Sequence, residues 1–140
     1  MGINKILVQQ RLLMLKQYIQ QLESIADTDK EEFCQDKIKS AAAESYLRRA
    51  LEVVFDIGRH ILAKSGLPDL AMEYKSIARG LVEYNVVPEI LGKKLIQMAG
   101  YRNRMVHLYY RVTEEELLEI ISNDLDDFRV FVASIQHFLS

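Results

Sequence analysis

Tryptophan is absent from this chain, cysteine occurs once, and only two prolines and six glycines interrupt its 140 residues. A lone Cys34 cannot form an internal disulfide, which suits a reducing cytosol without establishing it, and no motif around it marks a nucleophile. With so few chain breakers, and with 49% hydrophobic against 27% charged residues, the composition favours a compact helical protein over an all-β or disordered one. No apolar run nears the roughly 20 residues needed to span a bilayer, so no membrane partner is expected. The opening residues Met1-Gly2-Ile3-Asn4-Lys5 lack the parts of a secretory signal, and Ile6 stands where a myristoylation signal wants Ser or Thr. Cytoplasmic placement is the expectation.

Other absences remove whole classes of chemistry. Neither Gly-x-x-x-x-Gly-Lys nor Gly-x-Gly-x-x-Gly occurs, which argues against an independent nucleotide hydrolase or a dinucleotide enzyme. A di-iron bundle would need Glu-x-x-His pairs, but Ile57, Arg104 and Ser134 precede His60, His107 and His137 by three residues. No metal and no cofactor are therefore expected.

What is present is helical periodicity in a chain of one expected domain, residues 1–140. Ile3, Leu7, Met14, Tyr18, Leu22 and Ile25 recur at three- and four-residue steps and predict a first amphipathic helix over about 4–25. Thr28 and Glu31 have capping-box spacing and open a second, running through Phe33, Leu47, Leu51, Val54 and Ile61 to a stop at Gly66 and Pro68. Its roughly 36 residues would extend about 54 Å, so a bend near Ala41-Ala42-Ala43 is expected. Tyr74, Ile77, Leu81 and Tyr84 mark a third helix, ending at Asn85. Pro88 suits the first turn of a fourth, which carries Ile90, Leu91, Leu95 and Met98 inward, with an irregularity at Gly100. Thr113 and Glu116 repeat the capping-box spacing before a fifth helix through Leu117, Ile121, Leu125, Phe128, Val132 and Ile135. Glu114, Glu115 and Glu116 complement its dipole and are read as stabilising.

Charge is sorted along this chain. Between Ile90 and Thr113 stand Lys93, Lys94, Arg102, Arg104 and Arg111 with no acidic residue, so this window carries +5 while the chain carries −2 and the remainder −7. A polyanion would find its complement there. At the centre lies Arg102-Asn103-Arg104-Met105-Val106-His107-Leu108-Tyr109.

The pattern Arg-x4-His-x-Tyr, with Asn103 directly after the arginine, resembles the signature of the HEPN superfamily of helical ribonucleases, and more narrowly its HepT-type toxins. Ala50-Leu51-Glu52, Asp56-Ile57-Gly58-Arg59-His60-Ile61 and Gln97-Met98-Ala99-Gly100 also look like that subfamily's helices, so the resemblance spans nearly the whole chain. It implies an all-α, HEPN-type antiparallel bundle, here of about five helices, that works as a homodimer. The implied activity is that of a metal-independent endoribonuclease toxin acting on cellular RNA, tRNA or mRNA. The implied partner is a nucleotidyltransferase antitoxin that silences the toxin by adenylylating the motif tyrosine, here Tyr109. Tyr110 adjoins it as an alternative acceptor. A non-catalytic HEPN adaptor that binds a nucleotidyltransferase or a nucleotide is the competing reading.

Elementary chemistry agrees with the first reading. RNA supplies its own nucleophile, the 2′-hydroxyl, so cleavage to a 2′,3′-cyclic phosphate needs a base, an acid and positive charge at the phosphate. Histidine serves either proton role near neutral pH, and arginine grips a phosphate through two parallel N–H groups. His107 is thus the acid/base candidate, Arg102 the phosphate stabiliser and Asn103 a supporting group. Arg104, Arg111, Lys93 and Lys94 are candidate RNA contacts, although the two lysines first of all suit a solvated helix face. His60 is either structural or close to the cleft, and His137 is a surface residue. On a regular helix, at about 100° per residue, Arg102 and His107 stand about 140° apart and share no face. Either the helix loosens at the motif, or a two-fold dimer brings Arg102 of one copy to His107 of the other and supplies two histidines.

Overall fold

The computed structural model describes residues 2–107 and 112–140, and among these every regular element is a helix. In chain order they are α1 (Lys5–Ala26), α2 (Lys30–Gln35), α3 (Lys37–Lys64), a 3₁₀ turn (Pro68–Ala71), α4 (Tyr74–Glu83), α5 (Glu89–Val106), α6 (Glu114–Asn123) and α7 (Leu125–Leu139).

Five expected helices become seven because two of them are divided at an aspartate. Asp36 closes α2 by donating its N–H to the Glu32 carbonyl at 2.9 Å, and opens α3 by accepting from the N–H groups of Ile38 and Lys39 at 3.1 and 3.0 Å. The expected bend at Ala41–Ala43 is therefore a full break five residues earlier, since one carboxylate satisfies two orphan donors of the following helix. The cap of α2 also moves by one residue, to Asp29, whose Oδ1 accepts from Glu32 N–H at 3.0 Å. Asp124 (φ −108, ψ 0) separates α6 from α7. Thr113 caps α6 as its spacing predicts, accepting from Glu116 N–H at 3.2 Å. Pro88 sits one position outside α5, and Gly100 does not interrupt that helix.

Two helix ends share one solution. Gly66 (φ 83) and Asn85 (φ 60) take the left-handed conformation directly after α3 and α4. Leu67 and Val86 then donate back to the carbonyls of Leu62 and Leu81 at 2.9 and 2.8 Å, completing Schellman closures that turn the chain sharply.

Around α3 the other elements assemble. From Ala50 to Leu62 it is buried on nearly every side, against α1, α4, α5, α6 and the 3₁₀ turn. The stripe on α1 that meets it is Val8, Leu12, Leu15, Ile19 and Leu22, with Leu7, Met14 and Tyr18 on its flank, so the predicted stripe lay to one side of the true one. Ile90 is likewise exposed, while its neighbour Leu91 is buried. Two glycines set how closely the site-bearing helices approach. A Cβ on Gly58 would lie 2.6 Å from Ile77 Cγ2, and one on Gly92 2.2 Å from Val82 Cγ2. The first lets α4 press onto α3, the second lets α5 press onto α4. Among the described residues no helix is long and apolar enough to cross a membrane.

Candidate active site

Arg102 lies near the C-terminal end of α5, where the helix meets both α3 and α4. Its Nε donates to Glu52 Oε1 of α3 at 2.6 Å, and its guanidinium carbon stands 4.1 Å from the centre of the Tyr74 ring at the start of α4. Tyr74 in turn donates its hydroxyl to the other Glu52 oxygen at 3.2 Å and sets its ring edge-on against buried Phe55, 5.0 Å between centroids. Three helices thus hold one guanidinium by a charged hydrogen bond at one edge and an aromatic face beneath it. Nη1 makes a long, weak contact with Asn103 Oδ1 at 3.5 Å, and among the described residues Nη2 has no partner. The Nη1–Nη2 edge is the one that can take two oxygens of a phosphate.

Helix α5 ends where the sequence raised a geometric difficulty. His107 is its C-terminal cap, in extended conformation (φ −103, ψ 120) and exposed, with its N–H donated to the Asn103 carbonyl at 3.2 Å. The chain therefore leaves the helix at His107, whose N–H still closes the last turn. Tyr109, Tyr110 and Arg111 lie outside the described residues.

Among the described residues, the other basic candidates Arg104 and Lys94 face carboxylates of different helices. Arg104 forks Glu116 of α6 with Nη1 and Nη2 at 2.6 and 2.7 Å, which holds that carboxyl below its usual range and pushes the guanidinium still further up. This pair bridges the two sides of the motif segment. Glu116 is stabilising, as its place in the first turn of α6 suggests. Lys93 and Lys94 are exposed, and the Lys94 charge acts on Asp127 of α7, away from the contacts of Arg102. Asp127 is nonetheless raised, because burial outweighs the lysine.

The other reactive side chains have structural work. His60 accepts from the Asn4 N–H through Nε2 at 3.0 Å, tying the start of α1 to α3, and burial followed by the Lys64 charge lowers its pKa. His137 is exposed near the end of α7. Cys34 is pushed up by desolvation and by Glu115, which disfavours its thiolate. Among the described residues no three His, Cys, Asp or Glu side chains gather as a metal site requires.

Sequence reasoning missed Glu52 and Tyr74. Glu52 appeared only inside a family-like segment, and Tyr74 only as an apolar position; their partnership with Arg102 spans 50 and 28 residues and leaves no local pattern.

Residues 15–135 match the family described as Ribonuclease HepT-like. Over 138 residues the chain is 22% identical to the tRNA nuclease HepT of Aphanizomenon flos-aquae (strain 2012/KM1/D3), spanning 99% of this chain and 93% of that protein. A HEPN toxin of Shewanella oneidensis, solved tri-AMPylated in complex with MNT antitoxin, superposes with a TM-score of 0.81 at 23% identity, covering 93% of this chain and 96% of that one. YutE of Bacillus subtilis, described as a cytosolic protein of unknown function, superposes with a TM-score of 0.80 at 21% identity, covering 98% and 91%. At these identities the structural matches establish a shared fold.

Proposed function

The chain belongs to the Ribonuclease HepT-like family, and on that premise we propose that it is a cytoplasmic, homodimeric endoribonuclease toxin that cleaves RNA without a metal and is silenced by a nucleotidyltransferase antitoxin. The curated relative named a tRNA nuclease favours tRNA over mRNA as substrate. The observation that carries the reading is the state of Arg102: its Nε edge is fixed by Glu52 and its face by Tyr74, while the Nη1–Nη2 edge is left for a phosphate.

In the proposed reaction, the imidazole of His107 removes the 2′-hydroxyl proton and the 2′-oxygen attacks the adjacent phosphorus. The bond to the 5′-oxygen breaks, a second imidazole returns a proton to that oxygen, and a 2′,3′-cyclic phosphate remains. Arg102 neutralises the charge that builds on the equatorial oxygens. A two-fold dimer supplies both imidazoles and sets Arg102 of one copy beside His107 of the other. Asn103 supports Arg102 of its own chain through its side-chain oxygen. Arg111, Lys93 and Lys94 serve as outlying RNA contacts, and residues 1–140 act as one domain.

Silencing is assigned to Tyr109. The tri-AMPylated state of the Shewanella toxin supports modification of this fold by AMP. A chain of AMP groups there would replace a neutral phenol with bulky negative charge and compete with RNA for Arg102.

Incubation with tRNA in EDTA is expected to yield fragments ending in 2′,3′-cyclic phosphate, and His107→Ala to yield none; full activity in that variant would remove the mechanism. After treatment with the nucleotidyltransferase and ATP, mass spectrometry is expected to place AMP on Tyr109. Equal labelling of Tyr109→Phe would move the acceptor elsewhere, with Tyr110 first in line.

A further inference from the structure

The Tyr74 ring carries a second guanidinium. The guanidinium carbon of Arg59 stands 5.4 Å from the centroid that Arg102 approaches to 4.1 Å, so the two cations are no farther apart than the sum of these distances. One nucleotide step along an RNA strand, or at most two, spans that separation.

The arrangement is built in parallel. Glu52 and Asp56 stand one turn apart on the same face of α3, and each binds one arginine by one N–H: Glu52 takes Nε of Arg102 at 2.6 Å and Asp56 takes Nη1 of Arg59 at 2.8 Å. Tyr74 between them is fixed at both ends, its hydroxyl on Glu52 and its ring against buried Phe55. The platform is thus rigid while the cations on it keep N–H groups to offer. Asp56 and Arg59 have side-chain exposures of 48% and 38%, so their mutual attraction is screened and is readily exchanged for a phosphate. Beyond Arg59 the surface falls into a groove of about 290 Å³ between α1 and α3, where Arg11, Asp56, Arg59 and His60 are among the lining residues. Arg11 places a further positive charge on the far side.

From this geometry we infer that Arg59 is a second phosphate-binding residue, which takes the phosphodiester next to the one held by Arg102 and leads the RNA backbone into the groove between α1 and α3. The inference rests on the nuclease reading for the identity of its ligand. It extends that reading from one phosphate at the motif to a strand crossing α5, α4 and α3. Arg104, Lys93 and Lys94, the sequence-predicted RNA contacts within the described residues, all stand on α5 and none on α3.

Two readouts test it, one of which needs no catalysis. In a His107→Ala background, binding of a short single-stranded RNA is measured against salt for the parent, Arg59→Gln, Arg59→Lys and a control on the same helix, exposed Arg49→Gln. Arg59→Gln is expected to weaken binding about tenfold and to lower the slope of log affinity against log salt by about 0.7, the value of one single-strand phosphate contact. Arg59→Lys should recover the slope, and Arg49→Gln should match the parent.

Cleavage-competent protein is then assayed on an RNA with a mapped cleavage site, in which one flanking phosphate at a time is a neutral methylphosphonate. A single position adjacent to the scissile phosphate should slow the wild type and leave Arg59→Gln unaffected, a non-additivity that only direct coupling gives. Should Arg59→Gln fail to fold, as circular dichroism would report, the wild-type scan and Arg59→Lys still decide. Equal slopes for Arg59→Gln and Arg49→Gln, with no sensitive neighbouring phosphate, would overturn the subsite and leave the nuclease standing. Arg59-dependent binding in a protein that cleaves no RNA would do the reverse.

Discussion

Glu52 decides what Arg102 can do. A mobile arginine would lose rotamer entropy on meeting a phosphate, whereas one held at Nε by a carboxylate and seated on Tyr74 has met that cost in folding. Glu52→Ala removes the anchor and is expected to lower kcat roughly ten- to hundredfold, the worth of one charge-assisted hydrogen bond, with a smaller effect in Glu52→Gln, which keeps an acceptor. Steady-state kinetics on tRNA check this. A faster Glu52→Ala enzyme would mean instead that Glu52 competes with RNA for the arginine. Arg102 and His107 were legible in the sequence as candidates because the pattern that carries them is local. Glu52 and Tyr74 were not, because their link to Arg102 exists only once α3, α4 and α5 are packed. Arg104 shows a related limit: charge marked it as a cation for RNA, and its fork with Glu116 twelve residues on was not read from the sequence.

At the scale of elements, the same helix carries two glycines with opposite meanings. Gly92 has no room for a side chain, since a Cβ would stand 2.2 Å from Val82 Cγ2, whereas nothing lies within 4 Å of one on Gly100. Gly92→Ala is therefore expected to destabilise the fold by roughly 1–3 kcal/mol through overpacking. Gly100→Ala should stabilise it by roughly 0.5–1 kcal/mol by removing backbone freedom from the unfolded chain. Denaturant unfolding of both variants measures the two signs, and a neutral Gly92→Ala would show that α5 does not need its close approach to α4. Sequence periodicity located the helices but read Gly100 as an irregularity and passed over Gly92, because the spacing of glycines says nothing about what faces them. Division at Asp36 was hidden for a related reason. Aspartate inside an apolar period looks like a solvent-facing residue until its carboxylate is seen to cap the next helix.

For the whole molecule, the all-helical class followed from composition and periodicity, whereas the burial of α3 on nearly every side between Ala50 and Leu62 was not read from the sequence. The motif of one chain carries a single imidazole, His107, and the proposed chemistry uses two proton-transfer groups. The account's central claim is that the two copies act together on a single phosphodiester, with Arg102 of one and His107 of both. Mixed dimers test it most directly: wild-type and His107→Ala subunits are co-expressed with different tags and the heterodimer is purified. Each phosphodiester bound across the axis then meets one imidazole instead of two. The account predicts tRNA cleavage far below half the wild-type rate, since either the base or the acid is missing. A heterodimer that cleaves at half the wild-type rate would contradict it, because each copy would then act through its own histidine alone.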